Sequence, residues 1–291
     1  TNIQGMSAED AIVKMMARKA ANDTEELHIL GDLLGVAIKE SDYVDGGSAN
    51  YIKDTYLALY DGWLRQSDAA HIYDAAGANI SASVFGNMIR SLPTKFRRDR
   101  ARLRWIMSSD LAQLWRERIS TRATAVGDQA LASGGSIGAF GIPIVEIPLL
   151  PLQPRCVQHI ALAGNPGTVT ALRYGPVANV IVAPSTLGGV PTVPYIEDTD
   201  YVIDYSAGTI ARINGGAIAD PTTVKVTYDA NPQVIMSHAD NFIIAISRNI
   251  RIEKQRDIWR RTTGYAITMK VAAALEETDA LVKGINIGTG I

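Results

Sequence analysis

Between Ser7 and Leu34 the apolar residues recur at helical spacing. At about 100° per residue, Ala8, Ala11, Ile12, Met15, Met16, Leu27, Ile29, Leu30, Leu33 and Leu34 fall within roughly half of the helical circle. Ser7 can accept from the first-turn amides, and the acid at Asp10 can reach back to it. The pattern predicts a helix over 7–34 that ends near Gly31 or Gly35. A helix of about 25 residues is roughly 40 Å long, long for a compact domain. Lys19, Asp23 and Glu26 interrupt the middle of the stripe. Such a stripe suits a helix lying across a surface that meets a neighbouring subunit. It also suits an ordinary core helix whose charged side chains reach along apolar surface to water.

Further on, the period changes several times. Residues 40–50 carry Asp45-Gly46-Gly47 and read as an exposed loop or hairpin tip. Asp61-Gly62-Trp63 breaks any helix in 51–65. Helix returns over 81–91, with Val84, Phe85, Met88 and Ile89 on one side, and Pro93 stops it. Leu103 to Met107 reads as a strand, followed by a helix capped at Ser108 or Ser109 with Leu111, Leu114 and Trp115 inward. Gly141-Ile142-Pro143-Ile144-Val145 reads as a tight turn into a buried strand. From Pro148 to Pro221, prolines separate β-branched runs at Thr168–Leu172, Val180–Val182, Tyr201–Tyr205, Thr209–Ile213 and Val224–Tyr228. With Ser206-Ala207-Gly208 and Asn214-Gly215-Gly216 as turns, they predict an all-β module over 155–234, inserted into a helix-rich chain. Beyond it, Asn241–Ile246 leads into a strand in which Ile250 and Ile252 alternate with Arg251 and Glu253. A return strand alternates Tyr265, Ile267, Met269 and Val271 against Ala266, Thr268 and Lys270. This is a long antiparallel pair with one apolar face and a polar tip at 254–264. A short helix at Glu276-Glu277 and a final strand over 280–287 close the chain.

Composition narrows the function. The net charge of −2 over 291 residues gives no global basic field for nucleic acid. Cys156 is the one cysteine, which excludes an intrachain disulfide and suits folding in a reducing cytoplasm. No apolar run reaches bilayer length and no secretory signal opens the chain, so no membrane partner is expected. The chain opens at Thr1 and not at methionine, which implies a portion upstream. Local charge is strongest from Arg90 to Arg122, where Lys95 and nine arginines face three acids. That run could contact phosphates, but it lacks a platform of exposed aromatics, so ion pairing within or between subunits is the favoured use.

Candidate chemistry is sparse. His28, His71, His159 and His238 are far apart, and Cys156 with His159 alone cannot make a zinc site. Glu25 and Glu26 are consecutive on a helix, so they point about 100° apart and cannot converge as a general acid and base. Gly134–Gly138 and Gly164–Gly167 lack the Gly-Lys-Ser/Thr ending of a phosphate loop. Gly134-Gly135-Ser136-Ile137-Gly138 fits GxSxG in letters but opens no convincing helix, so no nucleophile elbow is read there. No catalytic residue, cofactor or metal is expected.

The order of parts resembles a known family. A long helix ending in Glu25-Glu26 and Gly31-Asp32, a strand–helix unit at 103–118, a Gly-Ile-Pro-Ile-Val strand at 141–145, the pair over 247–271 and the closing Asp279-Ala280-Leu281-Val282-Lys283 resemble, in sequence order, the major capsid proteins of tailed bacteriophages. The resemblance implies an α+β fold of the Hong Kong 97-like capsid type. Residues 1–65, with the spine helix, and 235–278 would form its peripheral domain. Residues 66–154 and 279–291 would form its axial domain, and 155–234 an inserted β-rich domain. The family's N-terminal arm and extended loop normally precede the spine helix, and almost nothing precedes it here.

The implied function is a major capsid protein that self-assembles into an icosahedral head shell around double-stranded DNA, without sequence-specific binding. Its partners would be copies of itself as hexamers and pentamers, with scaffold, portal and cement proteins as accessories. It would assemble in the bacterial cytoplasm and reside in the virion. The subunit-interface residues expected are Lys19, Asp23, Glu25, Glu26, Arg97, Arg98, Arg256, Trp259, Arg260 and Arg261. Two other classes stay open: a non-viral shell of the same fold around a protein cargo, and an enzyme with a β-rich binding module.

Overall fold

In the computed structural model the first helix, α1 (Ala8–Leu30), ends at the first of the two predicted stops, Gly31, and not at Gly35. The structure describes residues 8–35, 37–39, 51–53, 55–121, 138–163, 168–185, 193–257, 259–260 and 262–289. The predicted cap at Ser7 and the loop over 40–50 lie outside these. The helix stops because Gly31 is pressed against another segment. Its carbonyl accepts from the Gly62 amide at 2.8 Å, and the Asp32 amide turns away to donate to the Leu57 carbonyl. β1 (Ala37–Lys39) and β2 (Tyr51–Lys53) pair antiparallel, and the single turn α2 (Trp63–Gln66) starts directly after Gly62.

A five-stranded mixed sheet forms the centre. It uses β3 (His71–Asp74), β4 (Leu103–Ser108), β5 (Ile144–Ile147), β12 (Val234–His238) and β15 (Leu281–Ile285), in the order β3-β15-β12-β4-β5. α3 (Ala82–Ser91), the short α4 (Thr94–Arg97) and α5 (Ser109–Ser120) complete this part. The strand–helix unit starts as predicted, with the Ser108 hydroxyl accepting from the Leu111 amide at 3.3 Å. One sheet face buries Leu103, Trp105, Met107, Val234, Met236 and Val282 in a single cluster with α3 and α5. At its heart Phe85 meets Trp105 and Trp115 edge-on at 4.7 and 4.9 Å. The other face carries Ile106, Ile235 and Leu281 against Ile29 of α1 and Leu64 of α2. The expected buried strand at 144–147 is only half-buried, because β5 is an edge of the sheet.

Residues 155–230 form two three-stranded antiparallel sheets. One is β6 (Arg155–Leu162), β11 (Thr222–Ala230) and β8 (Val177–Pro184), in that spatial order. The other is β7 (Thr170–Ala171), β10 (Thr209–Arg212) and β9 (Tyr201–Asp204). Their shared core holds Ile160, Val182, Tyr201, Ile210, Val226 and Tyr228. β6 is absent from the strands the sequence pattern picked out, although its interior residues Val157 and Ile160 are buried.

A buried polar junction ties this β module to the body. Asp68 accepts from Lys283 of β15 at 2.6 Å, from Arg65 of α2 at 2.7 Å, from Arg173 at 2.6 Å and from the Tyr174 hydroxyl. Lys225 of β11 donates to the Leu34 carbonyl at 2.7 Å. Beside this network, burial of Asp32 pushes its carboxyl up to about 6, outweighing the Leu34 amide and Arg65 that favour the charged form. The folded chain therefore holds this proton more tightly than an unfolded aspartate near 3.8. The contribution to stability is greatest below about pH 4 and is lost as the pH rises through about 6. Asp32→Asn keeps an acceptor for Leu34 and removes the titration. Its stability relative to the parent should rise by on the order of 2 kcal/mol between pH 4 and pH 7. Denaturant melts of both proteins across that range would measure this, and parallel curves would refute it.

The basic run folds into internal pairs. Lys95 meets Glu277 at 3.0 Å, Arg102 pairs with Asp240, and Arg116 with Glu146. Arg97 donates to the carbonyls of Leu92 and Arg90 at 2.6 and 2.9 Å, closing the end of α3.

Candidate assembly surface

The long pair is β13 (Phe242–Asp257) with β14 (Thr262–Leu275). Among the described residues it shares no sheet with another strand. Its root is clamped by α2. The Gln66 side chain donates to the Ala273 carbonyl and accepts from the Leu275 amide, both at 2.9 Å, and Trp63 Nε1 donates to the Ala274 carbonyl at 3.2 Å. Trp63 also meets Phe242 edge-on at 5.3 Å, and His28 of α1 stacks edge-on against Trp63 and Tyr60. His28 Nδ1 lies 2.5 Å from the Thr24 carbonyl and 3.1 Å from the Tyr60 hydroxyl.

α1 lies against the apolar face of the hairpin. The Thr24 hydroxyl reaches Met269 Sδ at 3.3 Å. Cross-strand neighbours Ile246 with Val271 and Ile252 with Ile267 put the apolar residues of both strands on one side. Simple alternation misplaces part of β13, because the register shifts between Ile246 and Arg248 and again between Arg248 and Arg251. The helix does not cover this face. A groove of about 560 Å³ remains open between Thr24 and His28 on one side and Ile246, Ile250 and Val271 on the other, with Glu25 and Arg248 at its edge. Ile246 is 59% exposed, and at the front of α1 Met15 is 65% exposed. The apolar stripe of α1 is thus buried only near its end, at Leu27 and Ile29.

Among the residues singled out from sequence, Lys19 and Asp23 pair with each other one turn apart at 2.5 Å. Glu25 is exposed and Glu26 half-buried, and Arg98 is exposed. Arg97 is engaged with the α3 end described above. Arg256, Trp259 and Arg260 lie together at the hairpin tip, where the Asp257 carboxylate accepts from the amides of Trp259 and Arg260 at 2.9 and 3.1 Å. Trp259 is 97% exposed. Arg261 lies outside the described residues.

Burial pushes the Cys156 thiol up to about 12, which leaves it protonated at neutral pH. Among the described residues no cluster of three or more His, Cys, Asp or Glu could hold a metal ion, and no helix is long and apolar enough to cross a membrane.

A curated relative aligns over almost the whole chain. The "Putative prophage capsid protein YqbE" of Bacillus subtilis (strain 168) is 27% identical over 286 residues. This chain is similar to a phage capsid protein. The alignment spans 98% of this chain and 64% of the relative, so the β module falls within the aligned span while about a third of the relative lies beyond it. A chain in the solved structure titled "Satellite phage P4 procapsid including size determination (Sid) protein" aligns at a TM-score of 0.47 and 9% identity, over 97% of this chain and 64% of that one. No family model matches the chain.

Residues that sequence inspection passed over are Trp63, Gln66 and Asp68. Each is an ordinary polar or aromatic residue in a short, aperiodic segment, and its place at the hairpin root or the junction comes from contacts more than 100 residues away in the chain.

Proposed function

We propose that this chain is the shell-forming part of a major capsid protein, which self-assembles into an icosahedral head around phage double-stranded DNA. The similarity to a capsid protein across nearly the whole chain carries this reading. A single copy leaves the apolar face of its hairpin and the front of α1 open to water, as expected for a subunit finished by its neighbours. The fold would be of the Hong Kong 97-like type. Its peripheral domain would be built on α1 and the hairpin, its axial domain on the central sheet, and 155–234 would be an inserted domain. Near-neutral charge keeps like subunits from repelling in a dense shell. Copies would meet as hexamers and pentamers, with scaffold, portal and cement proteins as accessories. Lys19, Asp23, Glu25, Glu26, Arg97, Arg98, Arg256, Trp259, Arg260 and Arg261 would lie at or near subunit contacts.

Expression of the complete gene product in bacteria, followed by electron microscopy and assay of particle contents, tests this. Closed shells that hold nuclease-protected DNA during phage production are the expected result. A protein cargo in place of DNA would point to the non-viral shell. A chain that stays monomeric at every concentration would reject both.

A further inference from the structure

Trp259 is a large apolar side chain held almost wholly in water, on a tip whose backbone is fixed by Asp257. Burial of such a ring is strongly favourable, and exposed Trp flanked by Arg is the composition of an interface anchor. The same chain carries an unfilled apolar groove beside the root of the hairpin. At about 560 Å³ it has room for an indole ring. On the α1 side the groove presents Glu25, with Glu26 adjacent and Asp23 already paired to Lys19, while Arg248 lines the opposite side; Glu25 is the acid that complements Arg256 and Arg260, which flank Trp259 beside Asp257. A chain cannot satisfy itself. Ile246 in the groove and Asp257 at the tip lie on one continuous strand, and at roughly 3.3 Å per residue they are about 35 Å apart.

We propose that the hairpin tip of one copy docks in the α1–hairpin groove of a second copy, with Trp259 as the apolar anchor and Glu25 facing Arg256 and Arg260. The contact joins two different patches, so it propagates from copy to copy and closes into rings where the rotation allows. It rests on the shell reading above and names the receptor for the tip.

The test uses the complete gene product. Trp259→Ala should leave circular dichroism and the melting temperature unchanged and raise the concentration needed for assembly at least tenfold. Glu25→Arg should weaken assembly, and adding Arg256→Glu with Arg260→Glu should restore it in part. In a background with Cys156→Ala, Trp259→Cys with Ile246→Cys should form disulfide-linked oligomers on oxidation of assembled particles. If the parent assembles while Trp259→Ala assembles equally well, or the cysteine pair does not cross-link in particles, this contact is wrong and the shell reading stands. If the parent does not assemble, both fall.

Discussion

Asp68→Ala is expected to cost about 3–5 kcal/mol of stability, with a fall in Tm of roughly 10 °C. The cause is Lys283, which is 1% exposed. Its ammonium is held by Asp68 at 2.6 Å, the Leu64 carbonyl at 2.8 Å and the Tyr174 hydroxyl at 3.1 Å. Burial already draws the Lys283 pKa below its ordinary value, and the Asp68 carboxylate opposes that pull. Without Asp68 a cation remains in the interior with neutral acceptors only. Replacing both partners, Asp68→Ala with Lys283→Met, should recover much of the loss, because apolar atoms in place of a buried pair are often neutral or better. Since Arg173 and Tyr174 belong to the β module, amide exchange in 155–230 should quicken before the central sheet is affected. A single variant as stable as its parent would mean that the junction does not hold the module.

Gly31→Ala should be comparably damaging, at several kcal/mol, and should act on assembly as well. A Cβ at Gly31 would lie 2.4 Å from the Tyr60 carbonyl oxygen and 2.6 Å from that of Leu27. Both obstacles are backbone, so no side chain can turn aside. Relief requires opening the hydrogen bond from Gly62 to Gly31 and shifting the end of α1 away from α2. That shift would tilt the whole helix over the hairpin, since α1 is anchored mainly through His28 and Ile29 near its end. The variant should express, melt early and form no regular particles. Normal particles with an unchanged melting curve would show that this crossing tolerates a methyl group.

Much of the secondary structure is legible in the chain because burial repeats at a simple period. α3 reads correctly from Val84, Phe85, Met88 and Ile89, all of which face one cluster. The unit of β4 and α5 reads correctly because Ser108 is both the last strand residue and the helix cap. The hairpin is visible as a pair because Ile267, Met269 and Val271 alternate without interruption. Its opposite strand is less legible, since two register shifts leave no trace in a pattern of period two. β6 escaped notice because Cys156, Gln158 and His159 dilute its apolar alternation, while pairing along its full length with β11 makes it a strand.

The amphipathic stripe of α1 and the turn-punctuated β-branched runs were determined by residue order alone, because they depend on local period and on residue chemistry. The family resemblance came from the order of motifs along the chain. Which part of that stripe is covered, which of the two glycine stops ends α1, and how Asp68 gathers Lys283, Arg173 and Tyr174 from distant segments beside its neighbour Arg65 were decided only by the tertiary structure. Gly31 and Gly62 come together across about 30 residues, and Asp68 meets Lys283 across 215. No local preference encodes such meetings; they exist because packing the sheet, the helix end and the β module together leaves one arrangement in which buried charges are paired.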